Sequence, residues 1–100
     1  MRIIALERER EGATTDQYRA LAASEARKLW ELQQAEFIRE AHFRRDMNSA
    51  VLILEADSEK AAAERLSELP FVRENLIEFE LIPLRPYPGF ERLFTDENPV

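Results

Sequence analysis

Two short apolar runs constrain this chain more than any other feature. Ile3–Ile4–Ala5–Leu6 near the start and Ala50–Val51–Leu52–Ile53–Leu54 at the midpoint show no alternation of apolar and polar residues. A strand that is apolar on both faces is covered on both faces, so these two belong in the middle of a sheet. The remaining elements have to be arranged around them.

The first strand is expected from Met1 to about Arg10. From Glu7 its sequence turns fully charged, which predicts that its far end emerges into solvent. Gly12 and Thr14–Thr15–Asp16 then break it. Thr14 followed by Gln17 fits a capping box, in which each side chain satisfies an orphan backbone N–H at a helix start. Tyr18, Leu21, Ala22, Leu29 and Leu32 recur at helical spacing, predicting a first helix to about Ala35. Glu25 falls on or beside that apolar stripe.

Phe37 to Arg44 alternates loosely and reads as a second strand. Phe37, Arg39, Ala41 and Phe43 share one face, and Ile38, Glu40, His42 and Arg44 the other. Arg45–Asp46–Met47–Asn48 suits a hairpin turn into a third strand, Ala50 to Ala56. Asp57 or Ser58 caps a second helix that buries Ala62, Leu66 and Leu69 and is expected to stop at Pro70. Leu76 to Leu84 alternates as a fourth strand. Ile77, Phe79 and Leu81 point one way, and Leu76, Glu78, Glu80 and Ile82 the other.

The order β-α-β-β-α-β, with a hairpin between strands two and three and right-handed crossovers, predicts a ferredoxin-like α+β fold. Its antiparallel four-stranded sheet, ordered 4-1-3-2, puts strands one and three in the middle, where the two unbroken apolar runs require them. The domain is expected over residues 1–85, followed by a tail over 86–100. Both helices cover one sheet face. The other face, half of two apolar runs with Glu78 and Glu80 among them, is too apolar to stay in water. A second copy covers it most simply, giving a homodimer or a higher homo-oligomer and a dimeric α/β barrel whose polar members line a cavity. The tail carries Tyr87, Phe90, Leu93 and Phe94 among Pro86, Pro88 and Gly89, and is expected to lie across a partner subunit.

Composition removes several function classes. The 14 Lys and Arg against 20 Asp and Glu leave a net charge of −6, which opposes nucleic-acid binding. No apolar run approaches the ~20 residues of a membrane span, and the start turns charged too early for a signal peptide, so a cytoplasmic location is expected. The absence of cysteine removes disulfides, thiolate catalysis and cysteine zinc sites. One histidine without spaced carboxylate partners argues against a metal centre. Gly12 and Gly89 stand alone, so no phosphate-cradling loop is present.

Leu69–Pro70–Phe71, the strand Glu80–Leu81–Ile82–Pro83–Leu84 and the following Pro86 or Pro88 resemble the muconolactone isomerase-like family. Glu25, Leu32–Gln33 and Arg39 sit at matching places, so the resemblance spans roughly Glu25 to Pro88. It implies paired sheets enclosing a small-molecule pocket, assembly of dimers, and cofactor-free proton transfer on a small anionic lactone or aromatic catabolite. In the second strand this chain departs from the family pattern, with Ile38, Glu40 and His42 where the family has aromatic and histidine residues. Such chemistry needs a base with a tuned pKa and a cation or donor for the developing negative charge. Glu80 and His42 are the candidate catalytic groups; Arg39, Glu78 and Glu25 are the candidate substrate-binding groups. Burial on an apolar face would raise a carboxyl pKa, Arg39 offers a bidentate fork, and His42 titrates near neutrality. The bland alternatives are ion pairs of the glutamates with arginines, an exposed Arg39 and His42, and a Glu25 at the core boundary. The rival class is a non-catalytic ligand-binding or assembly module.

Overall fold

The structure is a computed structural model and describes residues 1–94. Residues 95–100, the end of the expected tail, lie outside it. The elements are β1 (Arg2–Glu9), α1 (Thr15–Gln34), β2 (Ile38–Phe43), β3 (Ala50–Glu55), α2 (Glu59–Leu66), α3 (Pro70–Arg73) and β4 (Ile77–Pro83), with a 3-10 segment at Pro88–Phe94. The sheet is antiparallel throughout, in the order β2-β3-β1-β4. The two apolar runs are its central strands.

Strand register divides the side chains between two faces. Ile3, Ala5 and Glu7 on β1 sit opposite Pro83, Leu81 and Phe79 on β4, while Ile3 and Ala5 also face Leu54 and Leu52 on β3. This is the inner face, under the helices. Ile3, Ala5, Leu52 and Leu54 are buried on it and pack with Leu32, Phe37, Ile38, Ala62, Leu66 and Leu69. Ile4, Leu6, Val51 and Ile53 lie on the outer face, half-buried, on the side away from the described helices.

Local chemistry sets the helix ends. Thr14 and Gln17 form the reciprocal capping box, with Thr14 N–H donating to Gln17 Oε1 at 2.8 Å. After α1, Phe37 N–H donates to Leu32 O at 3.1 Å and Glu36 N–H to Gln33 O at 3.0 Å, with Glu36 at φ 66°. That is a Schellman stop, and it feeds the buried Phe37 directly toward β2. The second half of the chain repeats the device. Leu76 N–H donates to Phe71 O at 2.8 Å, Asn75 N–H to Val72 O at 3.0 Å, and Asn75 has φ 61°.

Several expectations need correction. The second helix ends at Leu66, and Pro70 begins a separate short helix instead of stopping the first one. Proline suits a first helical position because its missing N–H would have no partner there. Leu76 is buried at the end of that turn instead of sharing the outer face with Glu78 and Glu80. Glu7 turns inward and is half-buried, although the charged run predicted solvent there. The tail takes up a 3-10 segment over Pro88–Phe94, and Tyr87 just before it packs edge-to-face on Phe90, centroids 4.9 Å apart. Any side chain at Gly89 would collide with the Tyr87 ring.

Candidate functional site

The inner face is not fully closed by the helices. At the C-terminal end of β1, a chamber of about 190 Å³ remains between the sheet, α1 and α3. Its walls are mostly apolar: Phe43 from β2, Phe71 from α3, Phe79 from β4, and Leu29, Ala22 and Ala26 from α1. Two acidic groups interrupt them, Glu7 from β1 and Glu25 from α1. A wider vestibule of about 490 Å³ adjoins it, sharing Glu7, Phe43 and Phe71 and adding Glu9, Thr15, Tyr18 and Asn48.

The secondary structure places both carboxyls. Glu7 continues the two-residue period of Ile3 and Ala5, so the pleat turns it inward beside Phe79. Glu25 lies in the α1 stripe between Leu21 and Leu29, four residues from each, and is only 6% exposed. Its Oε1 accepts from the Phe71 N–H at 2.9 Å. The Oε1 of Glu7 accepts from the Ala50 N–H at 3.1 Å, and the Ser49 hydroxyl donates to the Glu7 carbonyl oxygen at 3.0 Å. The second oxygen of each carboxyl has no hydrogen-bond partner among the described residues. No fully enclosed side-chain oxygen is left unpaired among the described residues, so these second oxygens keep some exposed surface.

Neither carboxyl has a salt-bridge partner among the described residues. Burial raises the Glu25 pKa above the ordinary carboxylate range, against the lowering effect of the Phe71 N–H, and the Glu7 charge raises it further. Burial also raises Glu7, opposed by the Ala50 N–H and reinforced by Glu9. In an apolar wall the ionised form loses hydration that two backbone donors only partly replace. Tyr18 stands at the vestibule, donating its hydroxyl to Leu76 O at 3.1 Å and packing edge-to-face on Phe71. Burial raises its pKa first, with Glu9 and Glu7 adding to the effect.

Of the five side chains singled out from sequence, only Glu25 reaches this chamber. Glu80 lies on the outer face, exposed and ion-paired to Arg8. Glu78 pairs with Arg10 at 3.2 Å. His42 is also exposed on the outer face, its Nε2 2.9 Å from Glu40 Oε1. Arg39 sits in an irregularity of β2 between Ile38 and Glu40, where it donates to the Glu36 carbonyl oxygen at 2.8 Å. These four do not converge on the chamber or its vestibule. Glu7 is the site residue that sequence reading passed over. The signal was the continuing alternation through the charged run, which pairs Glu7 with Ile3 and Ala5 on one face.

No family model and no curated protein matches the sequence. Solved structures do match. Muconolactone isomerase superposes with a TM-score of 0.71 at 16% identity, over 89% of this chain and 93% of that one. The 5-chloro-2-hydroxyhydroquinone dehydrochlorinase TftG of Burkholderia phenoliruptrix AC1100, in complex with 2,5-dihydroxybenzoquinone, gives a TM-score of 0.68 at 17% identity, over 89% of this chain and 98% of that one. At such identities the likeness is one of fold, and it agrees with the strand order and helix placement described above. The chain has the ferredoxin-like α+β fold of muconolactone isomerase, and almost the whole length of both neighbours is accounted for by it.

Proposed function

We propose that this chain is a homo-oligomeric small-molecule-binding protein that performs cofactor-free proton transfer on a compact ring compound in the inner chamber. The observation behind this reading is the chamber itself: three aromatic rings line it together with two carboxyls, each with one oxygen free of a described hydrogen-bond partner. A carboxyl whose pKa burial has raised is, when ionised, a stronger base than an exposed one. Glu25 is assigned the role of base. The names of the structural neighbours, an isomerase of muconolactone and a dehydrochlorinase of a chlorinated hydroxyhydroquinone, support a small ring as the ligand class.

Glu80, Glu78, Arg39 and His42 receive interface roles in this proposal. Arg8 answers Glu80, Arg10 answers Glu78, and Glu40 answers His42, while Ile4, Leu6, Val51 and Ile53 form an apolar patch on the same face. A second copy covering that patch would bury it within a rim of ion pairs. The exposed Leu93 and Phe94 suit a tail that packs on a further subunit. This charge-satisfied outer face also favours the alternative reading, an assembly module that binds a ligand without turning it over.

Melting of the protein with muconolactone or hydroquinone tests the proposal, together with the Glu25→Gln variant. A ligand-induced rise in Tm that the variant loses supports it. A wild-type Tm unmoved by either ring, with unshifted NMR signals for Phe43, Phe71 and Phe79, overturns it. Light scattering on a sizing column decides the assembly, and a monomer at micromolar concentration removes the homo-oligomer.

A further inference from the structure

Resting on that reading of the chamber, we propose that Glu7 and Glu25 act as one acid–base unit holding a single proton, so that the chamber takes an uncharged ring bearing a carbonyl or hydroxyl in preference to a carboxylate. The two carboxyls come from different elements, β1 and α1, and meet in the wall of one cavity of about 190 Å³. The Glu7 charge raises the Glu25 pKa, though less than burial does, and each carboxyl has one backbone N–H as its described donor. Sharing one proton removes the repulsion without removing the base.

The only cation among the described residues that acts on either carboxyl is Arg73, and its effect on Glu25 is the smallest of those acting there. No Lys or Arg lines the chamber or the vestibule. From β1 the facing charge is Glu9; from α1 it is the Tyr18 phenol, already donating to Leu76 O. From α3 it is Arg73, exposed and 3.7 Å from Glu74, whose effect on Glu25 is smaller than that of burial. The hairpin side offers Phe43, Asn48 and Ala50, and β4 offers Phe79, none of them charged. Both carboxyls are raised by burial, in the direction that favours their protonated forms.

Such a pair suits one reaction class, keto–enol tautomerisation. The ionised member removes a proton from the carbon beside a carbonyl, and the neutral member delivers its own proton to the carbonyl oxygen. A C–H bond breaks, an O–H bond forms, and the pair again holds one proton, now on the other member. No electrons enter or leave. A substrate carboxylate would add a second negative charge beside the singly charged pair, in a cavity that no Lys or Arg lines among the described residues.

The experiment is an NMR titration of side-chain ¹³C-labelled glutamates in the intact protein, with the Glu7→Gln and Glu25→Gln variants beside it. Two coupled steps are expected, and each variant should lower the apparent pKa of the carboxyl that remains. A single independent step for Glu25, unmoved in Glu7→Gln, overturns the shared proton. Amide spectra verify folding; where Glu7→Gln does not fold, the reciprocal Glu25→Gln variant decides. Ligand titration then tests selectivity, with hydroquinone as the uncharged probe and 4-hydroxybenzoate as the charged one. Hydroquinone should bind at least tenfold more tightly at pH 7, and Glu7→Gln should erase most of that ratio. Equal or tighter binding of 4-hydroxybenzoate overturns the substrate preference. If neither ring binds, the ring-binding reading and the preference fall together, and the carboxyl titration still decides the pair.

Discussion

The two faces of the sheet treat carboxylates in opposite ways, although β1 takes part in both arrangements. On β1, Glu7 turns inward to an apolar chamber and its neighbour Arg8 turns outward to Glu80. Outer carboxylates are exposed and matched by cations: Glu80 by Arg8, Glu78 by Arg10, and Glu55 by Arg2 and the Met1 ammonium. Inner carboxyls, Glu7 and Glu25, have backbone N–H donors and no described cation. An exposed, matched carboxylate is chemically quiet, whereas burial raises the pKa of an unmatched one. A one-residue step along a strand separates the two conditions.

The largest effect that distinguishes the faces is on folding. Leu52 on the inner face is 1% exposed, and Leu52→Ala should destabilise the fold by roughly 2–5 kcal/mol through lost burial and a cavity. Val51, its outer neighbour, is only half-buried, and Val51→Ala should alter monomer stability by about 1 kcal/mol or less while weakening self-association. Urea unfolding and light scattering measure both. Comparable losses at the two positions would mean that the outer face is closed within one chain.

Next in size is ligand binding. Glu25→Gln should lower affinity for a chamber ligand at least tenfold, about 1.4 kcal/mol, while Glu80→Gln leaves it unchanged. Calorimetry on whichever ring raises the Tm reads this directly. A loss in Glu80→Gln alone would move the site to the outer face.

The pH dependence should have opposite signs on the two faces. Burial raises Glu7 and Glu25, so between the ordinary carboxylate range and their raised values the folded state binds more protons than the unfolded chain. Their contribution to stability therefore falls as pH rises through that window, and Glu25→Gln should be more stable than the wild type at neutral pH. The Met1 ammonium, and Arg2 beside it, lower Glu55. Its contribution is present above the unfolded pKa and is lost as pH falls through the lowered value. Urea midpoints from pH 4 to 8 for the wild type, Glu25→Gln and Glu55→Gln separate the two signs. The smallest effect belongs to Glu80→Gln on monomer stability, about 0–1 kcal/mol, because its ion pair with Arg8 is solvent-exposed. Differential scanning calorimetry would detect a larger one.

Much of the fold was legible before any coordinates. The unbroken runs at Ile3–Leu6 and Ala50–Leu54 identify central strands, Thr14 and Gln17 mark a helix start, and the Arg45–Asn48 turn marks a hairpin. Pro70 misled because proline is compatible with either the end of one helix or the start of the next, and only packing decides which. The site was far less legible. Glu25 was visible as a misfit on an apolar stripe, whereas Glu7 was hidden among charged neighbours, where composition conceals the inward and outward alternation. Glu78 and Glu80 drew notice because they stand out against apolar neighbours, yet Arg8 and Arg10, more than 65 residues away in sequence, come alongside to pair with them.

By itself the sequence determined the order of elements, the central strands and the inner core, because periodicity and helix capping act over a few residues. Only the tertiary structure decided which carboxyls stay unpaired. Burial and charge pairing depend on strand register and on how far α1 and α3 stand from the sheet, and both join residues far apart in the chain. Glu7 is the clearest case. Its charge was plain from the sequence, but the chamber that gives that charge a use exists only where β1, α1 and α3 meet.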